Sequence, residues 1–145
     1  MKFDTFDRQP AIRTIAMPAD TNPSGDIFGG WLMGLMDLAA ASAAVRRARC
    51  RVATVAAERM AFLEPVRIGD EVSMFAEIVR VGRTSIEVEV EAWRRTSGSD
   101  EVVQVTHARF TCVSLSAWTG GPRPSHRLDF RQDHRNVRSD CEKVS

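Results

Sequence analysis

An α+β domain, with one long helix packed on an antiparallel sheet of five strands, is the fold class this sequence predicts. Three observations carry it. A single apolar run over residues 27–45 is poor in β-branched side chains and has the length of a helix rather than a strand. Alternating stretches follow it, most cleanly where Ile86, Val88, Val90 and Ala92 interleave with Glu87, Glu89, Glu91 and Trp93. The breaks between these stretches are short and rich in Gly, Pro, Asp and Ser, which suits antiparallel connections.

In chain order, residues 11–17 read as a short first strand, and a loop punctuated by Pro18, Pro23 and Gly25 leads into the helix. The helix should span roughly 15 to 20 residues. It should end near Ala48, where Arg46, Arg47 and Arg49 suit the negative end of the helix dipole. Residues 52–63 read as a long strand and 65–70 as a turn. Strands are then expected over 72–79, 86–93 and 102–115, with a hairpin loop at 96–100. Alternation falters around Thr106 and His107, which predicts a bulge or a partner-covered face there. Because the helix is apolar on every side, protein should surround it, as in a sheet curled about it. Beyond Trp118 the chain is arginine-rich without apolar periodicity. Residues 1–118 are therefore read as the single domain and 119–145 as a polar, flexible tail.

Composition excludes several classes. Hydrophobic residues make up 43% and charged residues 27% of the 145, a balance that opposes disorder. The formal charge is +1, from 20 basic and 19 acidic residues, and no basic stripe interleaved with aromatics marks a nucleic-acid surface. Cys50, Cys112 and Cys141 are far apart and odd in number, which reads as reduced thiols in a cytoplasmic protein. The polar N-terminus is no secretory signal. Nor is residues 27–45 a membrane span, since Asp37 would place a lone charge at its middle and Gly29, Gly30 and Gly34 loosen it.

Asp37 is the informative residue. Its helical neighbours are Met33, Gly34, Ala40 and Ala41, so nothing on its own helix pairs with it. An unpaired carboxylate buried on an apolar helix is tolerated mainly where a site requires it; the alternative is a helix strip facing solvent or a loop. The helix entry, Asp26-Ile27-Phe28-Gly29-Gly30-Trp31, carries adjacent glycines whose backbone N–H groups are uncovered by side chains. Such donors, aided by the helix dipole, can receive a developing oxyanion. The same glycines would serve close packing equally well, with Asp26 or Ser24 as a simple cap. In Arg80-Val81-Gly82-Arg83-Thr84-Ser85, two arginines and two hydroxyls flank a glycine, a set able to hold phosphate or amide groups and equally able to form an ordinary exposed turn.

Residues 16–37, AMPADTNPSGDIFGGWLMGLMD, resemble the helix-entry motif of the YciA-type acyl-CoA thioesterases of the hotdog superfamily. ERMAFLEPVRIGDEV (58–72) and VGRTSIEVEVEAW (81–93) resemble that family's following strands, in the right order over residues 11–115. Ser24 stands where asparagine is usual, and Ala61 where a polar residue is common. The match fades after Trp118.

The resemblance implies a hotdog fold and hydrolysis of acyl-CoA to a carboxylate and CoA, a reaction tied to lipid metabolism. It implies no metal or organic cofactor, CoA being part of the substrate. The assembly would be a homo-oligomer, either a dimer or a trimer of dimers. The family's aspartate falls on Asp37 and its glycines on Gly25, Gly29 and Gly30. The catalytic set it implies is Asp37, Gly29, Gly30 and Asp26, with Phe62 lining an acyl tunnel. Arg80, Gly82, Arg83, Thr84 and Ser85 would meet CoA. Two rivals stand beside it. A hotdog dehydratase would use a histidine by the helix, whereas His107, His126 and His134 all lie elsewhere in sequence. A non-catalytic acyl-CoA-binding or sensing module is the other, and an unpaired carboxylate would bring binding alone no benefit.

Overall fold

The computed structural model describes residues 8–115, and within them one long helix and five strands follow in the expected order. β1 (Ile12–Ile15) leads through a 3-10 turn at Pro18–Asp20 to α1 (Gly29–Ala48). β2 (Val52–Phe62), β3 (Glu71–Val81), β4 (Ser85–Arg95) and β5 (Val102–Ser114) complete the sheet. All pairings are antiparallel and the strand order is β1-β3-β4-β5-β2, so β1 and β2 are the edges. The expected domain boundary at 118 and the tail lie outside the described residues.

Alanine, leucine and methionine dominate α1, and all three are strong helix formers. Arg49 ends it in the left-handed conformation (φ 57°), its amide donating to the Val45 carbonyl, while Arg46 and Arg47 occupy the last turn. One stripe of the helix, Leu32, Met36, Ala40, Ala44 and Ala48, is buried in the core. Its small side chains let the axis approach the sheet, where Ile86, Val88, Val90 and Ala92 of β4 are fully buried. The spacing of these four matches the alternation seen in sequence.

The expected helix on a five-stranded antiparallel sheet is present, with part of the helix surface left open. The sheet covers one face of α1, and Met33, Leu38 and Val45 are exposed on the others, Leu38 to 60%.

Register irregularities in β5 and β2 shape the sheet around the helix. β5 is bulged beside the residues where alternation falters: Ala92 pairs with Thr106 but Trp93 with Gln104, leaving Val105 over. β2 carries register shifts between Thr54 and Ala56 and between Glu58 and Ala61, the second containing Arg59 at φ 53°. On the outer face, Glu91 accepts from Arg8 (2.8 Å) and from Trp93 Nε1 (3.1 Å). Burial alone would raise its carboxyl, but these donors outweigh burial and hold it below its ordinary range. Arg8 also lies 4.7 Å from the centre of the Phe75 ring, which is buried. No helix among the described residues is long and apolar enough to cross a membrane.

Candidate active site

The loop before α1 is organised by Asn22, which the sequence did not single out. Its side-chain oxygen accepts from the amides of Ser24 (3.0 Å) and Asp26 (3.1 Å), and its backbone bonds to Gly25 and Asp26. Gly25 sits at φ 87°, a conformation that L side chains rarely adopt. The loop is tied to the body by Ile27 N–H donating to Val66 O (3.3 Å) and Phe28 N–H to Asp20 O (2.8 Å).

The helix begins at Gly29, two residues later than the apolar run. Phe28 is the N-cap and provides no side-chain cap, so neither Asp26 nor Ser24 fills the capping role considered for it. Asp26 is exposed and joins this loop through its backbone. The Phe28 ring folds across Gly30, where a Cβ would come within 2.6 Å of Cε1. Phe62, at the end of β2, comes close to Gly29. The helix N-terminus is thus walled by two aromatic rings, and among the described residues no side-chain cap occupies its amides.

Asp37 lies on α1 and is half-buried, not fully buried as its setting in the apolar run suggested. It also has a partner: Thr54 Oγ1 of β2 donates to Asp37 Oδ1 at 2.6 Å. Thr54 pairs with Cys112 of β5, and Cys112 with Ile86 of β4, so a lateral row leads from Asp37 across the sheet. One step from that row is the β3–β4 turn, where Ser114 N–H donates to Thr84 O (2.8 Å) and Gly82 N–H to Ser85 O (2.7 Å). A Cβ on Gly82 would meet Ser85 Oγ at 2.7 Å, so the serine hydroxyl packs against the bare glycine backbone. Arg83 is exposed at its tip. Arg80 turns to the outer face and pairs with Glu87 at 3.6 Å.

The predicted residues therefore fall into two groups on one chain. Asp37 and the turn from Gly82 to Ser85 lie toward one end of the sheet. Gly29, Gly30 and Phe62 lie toward the other, because Phe62 pairs with Thr106 whereas Thr54 pairs with Cys112. Six residues of β5 separate those rows, about 20 Å at the rise of an antiparallel strand. Along α1, Gly29 and Asp37 are eight residues apart, about 12 Å.

The sequence profile of the thioesterase superfamily matches residues 24–100, from the Asn22 loop to the β4–β5 hairpin. This chain belongs to the thioesterase superfamily. Among that superfamily's proteins, the acyl-CoA thioester hydrolase YciA of Salmonella typhimurium is 45% identical over 127 residues, 83% of this chain and 95% of the relative. A hexameric thioesterase from Yersinia pestis superposes with a TM-score of 0.72 at 43% identity, covering 79% of this chain and 93% of that one. A hexameric hotdog-fold thioesterase of Campylobacter jejuni superposes with a TM-score of 0.73 at 40% identity, covering 82% and 90%. The single helix on a five-stranded antiparallel sheet is the superfamily's hotdog fold.

Proposed function

We propose that this thioesterase-superfamily chain hydrolyses acyl-CoA thioesters to the free acid and CoA at a site completed by a second copy of itself. Asp37 takes the proton from the attacking water, or attacks the thioester carbon directly and is released by water. The amides at Gly29 and Gly30 receive the carbonyl oxygen as it gains charge. Water is the only co-reactant, and neither metal nor organic cofactor enters the scheme. Arg83 and the turn around it meet the nucleotide end of CoA, and Phe62 borders the acyl chain. Free thiols at Cys50 and Cys112 suit a cytoplasmic setting.

The observation that most supports a shared site is the separation of the two groups. No single thioester carbonyl can lie within hydrogen-bond reach of the Gly29 amide and also beside Asp37, about 12 Å away on the same helix. Two-fold pairing of β2 edges in antiparallel fashion brings opposite ends together, so Asp37 of one protomer would face the glycine pair of its partner. That edge carries exposed Val55 and Phe62, and the adjoining helix face exposes Met33, Leu38 and Val45. An unpaired eleven-residue edge beside a bare apolar helix face is a surface that monomers rarely leave open. Further joining of such dimers in threes would match the hexamers of the Yersinia and Campylobacter proteins.

Co-expression of two inactive variants tests the reading. Asp37→Asn and Gly30→Val are each expected to abolish release of CoA from acyl-CoA, read with a thiol reagent. In a mixed dimer one of the two sites would receive both defects and the other neither. Recovery of about a quarter of wild-type turnover, one intact site in the half of dimers that are mixed, is expected from two-fold assembly. No recovery, or full activity in a stable monomer by sedimentation, rejects the shared site. Tight acyl-CoA binding without any CoA release by the wild type rejects hydrolysis.

A further inference from the structure

Arginines at one end of the molecule differ from the rest in having no counter-charge. Those of β1, β3, β4 and β5 each lie within 3.7 Å of a carboxylate. Arg46, Arg49, Arg51 and Arg83 are exposed, and none of them forms an ion pair or a side-chain hydrogen bond among the described residues. They share one end of the fold. Arg46 stands in the last turn of α1, and Arg49 closes that helix. Leu115 N–H donates to Arg51 O (2.8 Å) and Ser114 N–H to Thr84 O (2.8 Å), so Arg51 and the Arg83 turn flank the end of β5. Two strand spacings, about 10 Å, separate them. No carboxylate occurs among residues 38–57 or 78–86, the stretches that bring these arginines together. The helix dipole accounts for cations at Arg46 and Arg49. It does not account for Arg51 and Arg83, which lie beyond the helix beside the sheet.

Four unpaired cations on one acid-free end make a field that attracts a polyanion. Nucleic acid is disfavoured, because residues 38–57 and 78–86 contain no aromatic side chain on which a base could stack. A folded acidic protein would need an apolar centre to its interface. Here the last turn of α1 and the Gly82–Ser85 turn expose only Val45 as a large hydrophobic among the described residues. An anionic bilayer needs neither feature, since charge alone draws arginines to its surface. Substrate chemistry points the same way. A long-chain acyl-CoA is an amphiphile, and each CH2 of its chain favours the bilayer about fourfold. On the hydrolase reading above, the Arg83 turn meets CoA at the end of the sheet that carries Asp37. Docking at this end therefore sets the entrance of the site against the surface where such substrates collect. We propose that Arg46, Arg49 and Arg51, beside Arg83, form a docking end that holds the protein reversibly on membranes rich in anionic phospholipid.

Sedimentation of the full chain with lipid vesicles tests this. Binding is expected to vesicles of phosphatidylcholine mixed with phosphatidylglycerol, to weaken as salt is raised, and to be absent with phosphatidylcholine alone. Each arginine near an anionic surface adds about fivefold to binding, so combining Arg46→Gln, Arg49→Asn and Arg51→Gln should weaken it about a hundredfold. Asparagine suits the left-handed conformation at position 49. Lysine at the same three positions keeps the charge and should keep the binding, which separates loss of charge from loss of fold. Turnover of a short-chain acyl-CoA free in solution should be unchanged in both variants. Equal binding to neutral vesicles, no binding to anionic ones, or full binding by the neutralised variant overturns the proposal. So does tighter retention of single-stranded RNA than of anionic vesicles, which would assign the end to another polyanion. A rise in KM for the short-chain substrate that matches the loss of vesicle binding also overturns it, because the three arginines would then belong to the CoA site. Vesicle binding requires no turnover, so a wild type that binds vesicles but releases no CoA rejects hydrolysis and leaves the docking end standing.

Discussion

The Phe62 ring lies 3.7 Å from the point at which a Cβ would project from Gly29, and that gap is ordinary van der Waals contact. Gly29→Ala therefore fits against the ring without displacing it, and alanine is a better helix former than glycine. Gly30 differs, because its Cβ would press on Phe28 at 2.6 Å. Gly29→Ala should leave turnover close to wild type with an equal or higher melting temperature, while Gly30→Ala should lower turnover. Equal behaviour of the two variants would mean that the ring positions do not shape the site.

Asp37→Asn should lower kcat by about a hundredfold to ten-thousandfold, the range over which a general base contributes. Its side-chain oxygen can still accept from Thr54, so circular dichroism and the oligomer's sedimentation should be unchanged. Because Asp37 is half-exposed, little stability should be gained by removing its charge. Turnover near that of the wild type would remove Asp37 from the mechanism.

Arg83 and Arg80 should respond differently. Arg83→Ala should raise KM for acyl-CoA with little change in kcat, and the effect should shrink at high salt, as expected for an exposed phosphate contact. A thioester lacking the nucleotide should be used equally by Arg83→Ala and wild type. Arg80 faces Glu87 on the outer surface, so Arg80→Ala should change KM less. Equal losses of Arg83→Ala on both substrates would make Arg83 a structural residue.

The Glu91 carboxyl is held below its ordinary range when folded, so it binds protons less readily there than in the unfolded chain. Its contribution is therefore present above the unfolded value and is lost as pH falls through the folded one. Glu91→Gln should melt lower than the wild type near neutral pH, and the gap should close in acid. A gap that is constant from neutral to acid pH would show that Arg8 and Trp93 do not act through the Glu91 charge.

Much of this arrangement was legible in residue order because it rests on local rules. The alternation through β4 and the Gly-Asp turn before β3 identify their elements from neighbours a few positions away. The faltering pattern at Thr106 likewise marked the bulge that leaves Val105 over. Thr54 was not legible as the partner of Asp37. Their contact joins strand to helix across a long sequence separation, and the register shifts in β2 erase the alternation that would have assigned Thr54 to the helix side. The broken pattern of residues 52–63 was the available signal, and it read only as a long strand. Asn22 escaped for a different reason: an Asx oxygen that gathers backbone amides leaves no periodic trace, only a residue type common in loops. The open side of α1 has a different origin, since hydrophobicity states that a face must be covered but not by which chain.

The two bulges of β2 act as a parity device. From Thr54 to Phe62 the strand advances eight residues while its partner β5 advances six, from Cys112 to Thr106. Each bulge inserts one unpaired residue and so inverts the inside–outside alternation beyond it; two inversions cancel. That cancellation is what allows Thr54 to meet Asp37 and Phe62 to meet Gly29 on the same side of one strand. Loss of a single residue between them would leave an odd count, turning the aromatic wall outward while the aspartate kept its hydroxyl. Insertions and deletions in this strand are therefore tolerable only in pairs, a constraint on length that no single side chain reveals.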